Sequence, residues 1–368
     1  MKKRVSIITW LGNTTLNYGS ALQATAMQEL LRKENCNPTT IDFMYLGKTK
    51  KEIASALLEN GIQYTKTYFK FQQWYKKYMK LSPVCYYDDD IVEYAKNNSD
   101  ILLCGSDCIW GDKYNASQRF FWDYRELDKI PHIAYASGLN EGSISYNMQN
   151  VISSFVAISG REQHLAQAMK EYKKEVDTVL DPTLTVNEKF WDDKASRRLI
   201  KEDYIVCYIL SKIENHLLSI EKIKNKYGVK RVVCINTDIV DKPCNDIYSD
   251  YRNGKFDKAI GPAEFLSLIK YATAVCTDSF HGTCFSIINE KDFYIFDLHR
   301  ISRQKGDNRF NSLLPKLGVQ NRFVQTNKDI DSVAEIDWED VRLRLKNERL
   351  HSVQFLREAL AKAEQFGE

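Results

Sequence analysis

The segment Thr277-Asp278-Ser279-Phe280-His281-Gly282-Thr283 sets a histidine, a carboxylate and small polar residues where an apolar strand runs into a helix. Such a junction offers backbone N–H groups at the positive end of a helix dipole and binds anions readily. The imidazole of His281 can give or take a proton there. A lone histidine more often caps a helix or fills a core. The company of Asp278, Ser279, Gly282 and Thr283 favours chemistry here.

A second reactive point is Ile158-Ser159-Gly160-Arg161-Glu162, where Arg161 follows another apolar run. Its planar guanidinium matches carboxylate or phosphate oxygens. Two loops add polar density at the same kind of position. One is Asn13 to Ser20, containing Asn17-Tyr18-Gly19-Ser20, and the other is Gly105-Ser106-Asp107-Cys108-Ile109-Trp110. Asn17 and Ser20 also suit the cap of the helix that follows. Neither G-x-G-x-x-G nor G-x-x-x-x-G-K-[ST] occurs, so no motif supports a dinucleotide or P-loop site.

The elements that must hold these residues alternate between strand and helix. Predicted buried strands are Val5 to Thr9, Thr40 to Phe43, Ile101 to Cys104, Ile133 to Ala136, Phe155 to Ile158 and Val176 to Leu180. After a polar stretch, Asn187 to Asp203, a second series follows: Tyr204 to Leu210, Val232 to Asn236, Ala274 to Thr277 and Phe293 to Phe296. Short apolar strands interleaved with amphipathic helices read as parallel sheets covered on both faces. A helix opens at Gly261-Pro262-Ala263-Glu264, with Pro in its first turn. The fold expected is α/β, two Rossmann-like domains spanning residues 1–190 and 200–336. Residues 337–368 form a closing helix, about 40 Å long at 1.5 Å per residue, able to cross between domains and pack back on the first. Ligands of open α/β sheets bind at strand C-terminal ends, so the crevice between domains is the expected site.

The balance of 52 Lys and Arg against 49 Asp and Glu gives a net charge of +3 over 368 residues, too small for a dedicated nucleic-acid binder. No run of about 18 apolar residues occurs, so no spanning segment is expected, and the N-terminus lacks the core of a secretion signal. Nine scattered cysteines without a C-x-x-C pair read as cytosolic thiols packed as small hydrophobes, with no zinc site. Tyr64 to Tyr78 carries aromatics and four lysines without an acidic residue. On a helix, Tyr64, Tyr68, Phe71, Tyr75 and Tyr78 share one face, with Phe69 and Trp74 outside it. That face is expected to dock on the domain. A basic aromatic helix can also lie on an anionic membrane surface or stack against sugars.

Taken in order, these motifs resemble the polysaccharide pyruvyl transferase family over nearly the whole chain. The resemblance rests on Asn17-Tyr18-Gly19-Ser20 with Leu22-Gln23, Asp100 to Trp110, Ala134-Tyr135-Ala136-Ser137-Gly138, Ser159 to Glu162, Leu180-Asp181-Pro182-Thr183, Gly261-Pro262 with Glu264-Phe265, and Thr277 to Gly282. It implies a GT-B-like arrangement, phosphoenolpyruvate as donor, a sugar or lipid-linked saccharide as acceptor, and no metal or redox cofactor. The setting it implies is cytoplasmic, at most touching the inner membrane face, in surface polysaccharide assembly. Carried over by motif, Arg161, Ser279, His281, Gly282 and Thr283 would hold the donor. His281 would supply the proton and Asp107 would orient the attacking hydroxyl, while Asn17, Tyr18, Ser20, Ser106 and Trp110 would line the acceptor side.

One departure stands out. The family pattern carries an arginine two residues before the equivalent of His281, and this chain has Ser279 there. The missing cation would have to come from Arg303, Lys305 or Arg309 in the loop Arg300 to Arg309. Two other readings compete: a GT-B glycosyltransferase with a nucleotide-sugar donor, and a sugar-binding homologue without catalysis.

Overall fold

The computed structural model describes residues 2–12, 16–44, 50–59, 61–110, 118–139, 144, 146–211, 213–235, 259–296, 308–324 and 329–367. The chain builds two parallel sheets. The first joins β1 (Arg4–Ile8), β2 (Asn37–Thr40), β3 (Ile101–Gly105), β4 (His132–Ser137), β5 (Phe155–Gly160) and β6 (Asp177–Thr178) in the order β2-β1-β3-β4-β5-β6. The second joins β7 (Tyr204–Tyr208), β8 (Arg231–Ile235), β9 (Ala274–Thr277), β10 (Asp292–Phe296) and β11 (Phe323–Val324) in the order β8-β7-β9-β10-β11. In both, the chain leaves the first strand toward one edge and returns on its other side, which creates a switch point between β1 and β3 and another between β7 and β9. Loops diverge at such a point and leave a crevice beyond the strand ends.

Most of the expected strands form, within a few residues of their predicted bounds. The predicted strand Thr40 to Phe43 lies instead at Asn37–Thr40, where Pro38 is tolerated because β2 is an edge strand. Val176 to Leu180 contributes only the short β6, and β11 was not expected. The polar stretch Asn187 to Asp203 is not a plain linker, since Asn187 caps a helix Glu188–Asp192. The helix Gly61–Tyr78 docks by Phe71 and Tyr75, as its pattern predicts. Trp74 departs from the prediction: it is buried, and its indole N–H donates to Thr25 Oγ1 at 2.9 Å. The eight described cysteines are buried, as expected of thiols packed as small hydrophobes; Cys244 lies outside the described residues.

The helix Tyr18–Lys33 is wedged between the two sheets' layers, which is why residues 18–28 are buried on every side. Its small residues Gly19, Ser20, Ala21, Ala24 and Ala26 let neighbours approach closely. Its buried amides are satisfied: Gln23 donates to Thr9 Oγ1 and the Trp10 carbonyl, and Gln28 to Thr40 Oγ1 and the Lys80 carbonyl. The closing helix Trp338–Glu364 touches both domains. Arg342 pairs with Glu290 of the second, while the Ser352 carbonyl and hydroxyl bond Tyr135 and Leu180 of the first.

His132, the first residue of β4, is fully buried edge-on against Phe155, and burial lowers its pKa to about 3. The unfolded chain therefore takes up this proton first, near the ordinary value of 6.5. Stability is complete above that pH and declines as pH falls toward about 3, by about 3 kcal/mol at pH 4. Urea titrations across this range should lose that slope in His132→Phe. An unchanged slope would assign the acid sensitivity elsewhere.

Candidate active site

Both switch points are tied across by a carboxylate. In the first domain Ser20 Oγ donates to Asp107 Oδ2 at 2.6 Å, joining the first turn of the helix after β1 to the loop after β3. In the second, Asp278 accepts from the backbone N–H groups of Leu210 and Ser211 at 2.6 and 2.8 Å, joining the ends of β9 and β7. Asp107 has φ +67 and its Oδ1 accepts from Cys108 N at 2.8 Å, so the turn holds a left-handed non-glycine residue through its own side chain. Ala136, at the bulged end of β4, has φ +52. Two such backbone positions at neighbouring strand ends mark strain kept at one edge of the sheet.

Between the two tied loops lies a buried ionic cluster. Asp181, just past β6, caps the short helix Pro182–Thr185 through Thr183 N at 2.9 Å. Its Oδ2 accepts from Ser106 Oγ at 2.8 Å and Arg161 Nη1 at 3.0 Å, and His281 Nε2 stands 3.6 Å away. Burial would raise the Asp181 carboxyl, but His281, Arg161 and Thr183 together hold it well below the usual carboxylate range. Arg161 is 5% exposed. Burial opposes its charge, yet Glu162, Cys108 and Asp181 outweigh this and keep it protonated. Glu162 is fully buried; one oxygen accepts from Leu139 N at 3.0 Å and the other faces Arg161 Nε at 3.5 Å. Burial pushes its pKa up, against Arg161 and the Leu139 amide.

The second domain completes the cluster. Ser279 caps the helix Phe280–Ile288, and the Phe280 ring lies beneath the Arg161 guanidinium at 4.9 Å and that of Arg309 at 6.0 Å. Both arginines also reach the Cys108 sulfur, from Nη2 of Arg161 at 3.2 Å and Nη1 of Arg309 at 3.8 Å. Burial pushes that thiol up to about 11 despite the two cations. His281 packs flat on Gly19, where an added methyl would stand 2.1 Å from its Nδ1. Gly138 is likewise closed upon, since a Cβ there would meet Arg161 Nη2 at 2.3 Å. These two glycines are required by close approach, and no side chain could replace them without moving the histidine or the arginine.

Arg161 Nε, Glu162 Oε1 and His281 Nε2 are buried and make no hydrogen bond among the described residues, facing only ionic partners at 3.5 and 3.6 Å. Buried polar atoms are normally satisfied, so three such atoms in one cluster leave hydrogen-bonding capacity that a polar ligand would complete. Arg161, Arg309, His281, Asp181 and Glu162 together can clamp an anion, supply a proton and accept one.

Several expected contacts take other roles. Trp110 is fully buried, stacked on Phe121 with its indole N–H given to the Phe120 carbonyl, so it belongs to the core and not to an acceptor surface. Tyr18 is stacked on Phe265 at 4.8 Å and its hydroxyl donates to the Ile260 carbonyl, so it ties the domains together. Ser106 is fully buried against Asp181 and positions that carboxylate. The amides of Gly282 and Thr283 close onto Ser279, through its hydroxyl at 3.4 Å and its carbonyl at 3.0 Å, and so are taken by the helix cap. Asn17 is the half-buried cap of its helix, accepting from Ser20 N. Of the loop cations, Arg303 and Lys305 lie outside the described residues, while Arg309 lies beside Phe280 in the cluster.

Sequence reasoning assigned no role to Asp181, Glu162 or Cys108. Asp181 had a local signal, an Asp-Pro-Thr run that caps a helix just after a strand. Glu162 stood only as the last residue of the motif that carries Arg161, and Cys108 read as one more core thiol.

A family model described as polysaccharide pyruvyl transferase matches residues 17–300. No curated protein matches the chain. Among solved structures, the UDP-N-acetylglucosamine 2-epimerase of Rickettsia bellii superposes with a TM-score of 0.58 at 11% identity, covering 99% of this chain and 98% of its own. Another UDP-N-acetylglucosamine 2-epimerase gives 0.54 at 13% identity, covering 100% and 98%. At these identities the likeness is one of fold: two Rossmann-like domains in the GT-B arrangement.

Proposed function

The chain belongs to the polysaccharide pyruvyl transferase family, and from that premise we propose that it moves a pyruvyl group from phosphoenolpyruvate onto two hydroxyls of a sugar. The product is a cyclic ketal, and phosphate leaves. The observation that carries this reading is the buried cluster of Arg161, Glu162, Asp181 and His281 between the two switch points, three of whose polar atoms make no hydrogen bond among the described residues. The acceptor is a sugar or lipid-linked saccharide of surface polysaccharide assembly, and the donor implies a cytoplasmic setting.

The chemistry divides into two additions at one carbon. A first sugar hydroxyl adds across the enol double bond, its oxygen bonding to C2 while a proton goes to the methylene. The second hydroxyl then bonds to C2 as the C–O bond to phosphate breaks, and its proton leaves with the phosphate. Arg161 and Arg309, on either side of the Cys108 sulfur, supply the cationic clamp for carboxylate and phosphate. Arg309 takes the place of the arginine that the family pattern would put at position 279. His281 delivers the proton, steadied by the Asp181 carboxylate that faces its Nε2. Asp107, held by Ser20 and Cys108 N, receives the hydroxyl proton.

The decisive experiment mixes the protein with phosphoenolpyruvate and candidate saccharides and follows phosphate release together with the ketal methyl resonance. A thermal-shift series should respond to phosphoenolpyruvate and not to nucleotide sugars. Response to nucleotide sugars alone would move the chain to the glycosyltransferase reading. In the same titration Arg161→Lys should weaken the donor about tenfold, or ~1.4 kcal/mol, because a point charge cannot hold Asp181 and an anion together as a planar fork does. An unchanged donor titration would remove Arg161 from the site.

A further inference from the structure

We infer that the outer face of the helix Gly61–Tyr78, with the basic cleft at its end, is a docking surface for an anionic lipid bilayer. The assignment is independent of the donor chemistry and rests on a different part of the fold. Ile62, Lys66, Phe69, Gln73, Lys76 and Lys77 follow helical spacing along one side, and all six are exposed. Ile62 is 73% and Phe69 54% exposed, and Leu58, near the end of the preceding helix Lys50–Glu59, is 85% exposed. The opposite side, through Phe71, Trp74 and Tyr75, is already buried against the domain. The helix thus presents a second stripe, uncovered among the described residues, that carries Ile62 and Phe69 together with three lysines. No acidic residue stands between Gly61 and Tyr87.

At its C-terminal end the stripe runs into a cleft of 340 Å³ lined by Lys77, Lys80, Arg32 and Lys194, with Glu29 the carboxylate among its walls. An adjoining cleft of 580 Å³ shares Arg32 and Lys80 and adds Lys2 and Arg4, the latter engaged by Asp100. Burial lowers the pKa values of Arg32 and Lys194, partly offset by Glu29 at both and by Asp193 at Lys194, where Arg32 and Lys33 add to the lowering. A soluble phosphate would gain nothing from Ile62 or Phe69. A bilayer surface uses both parts, since apolar side chains enter the headgroup boundary while lysines meet lipid phosphates.

The test is co-sedimentation of the full chain with vesicles of phosphatidylcholine, alone or doped with phosphatidylglycerol. Binding is expected to the anionic vesicles, to fade with added salt, and to be absent from the neutral ones. Each lysine at an anionic surface is worth about fivefold in partitioning, so reversing Lys66, Lys76 and Lys77 to glutamate should cost roughly a hundredfold. Ile62→Ser with Phe69→Ser should cost about tenfold or more on the same vesicles. All five positions are exposed, so melting temperatures should hold; if the charge-reversed variant does not fold, the serine pair decides. Equal binding to neutral vesicles, or variants that bind as the parent does, would overturn the assignment. So would a thermal shift with inorganic phosphate in a protein that binds no vesicle, which would leave the cleft a site for soluble anions.

Discussion

His281→Asn is expected to cut turnover with phosphoenolpyruvate by roughly 10²–10⁴, the usual worth of a general acid or base, while leaving most donor affinity in place. The separation follows from where the residue sits. Its ring lies flat on Gly19 and points Nε2 at Asp181, so an asparagine of smaller reach keeps the helix start but brings no proton to the former position of Nε2. The Ser279 cap and the Arg161 and Arg309 clamp are untouched by the change. If the histidine served only as a cation for phosphate, the loss would fall on donor affinity instead, and the rate at saturation would persist. Full turnover with unaltered donor binding would leave His281 as a structural residue and shift preference to a non-catalytic, sugar-binding homologue.

The second large effect concerns Asp181. Asp181→Asn keeps the size of the side chain and one acceptor for Thr183 N, but removes the charge that His281 faces and one of the two carboxylates, with Glu162, that balance Arg161 in the buried cluster. Breaking a buried pair by neutralising one partner typically costs about 3–5 kcal/mol, and the remaining Glu162 puts the expected loss at the lower end, about 3 kcal/mol. The amide nitrogen of an asparagine placed at Oδ2 would also face two donors, Arg161 Nη1 and Ser106 Oγ. Urea denaturation should therefore show a loss of this size. Combining the change with Arg161→Met should recover only part of it, since the buried Glu162 then loses its cation and must take up a proton. At the exposed pair Arg342 with Glu290, Glu290→Gln should scarcely move the midpoint. A loss for Asp181→Asn no larger than that of the exposed pair would show that the cluster is not held together by charge.

These variants separate two layers of one site. In the proposed reaction His281 and Asp107 handle protons, whereas Asp181, Ser106 and Gly19 hold others in position and never need to touch a substrate. Activity loss without instability identifies the first layer, and joint loss identifies the second.

Much of this was legible in the order of residues. Strand periodicity and its alternation with helical stripes depend on neighbours a few positions apart, so the two α/β series, the helix Gly61–Tyr78 and the closing helix could be read directly. The candidate positions at strand ends were legible too, because strand C-terminal ends are local features and Arg161, Asp107 and His281 each follow one. What the order of residues could not convey was which of these ends meet. Asp181 and His281 are 100 positions apart and belong to different sheets, and only the docking of two switch points brings them to 3.6 Å. Burial was equally out of reach. Trp110 and Tyr18 have the residue types of a sugar-binding surface, yet tertiary packing closes Phe121 over one and Phe265 over the other. The roles of Glu162 and Cys108 come from the same source, since an ordinary carboxyl and an ordinary thiol take on site character only when the fold removes water and sets arginines beside them.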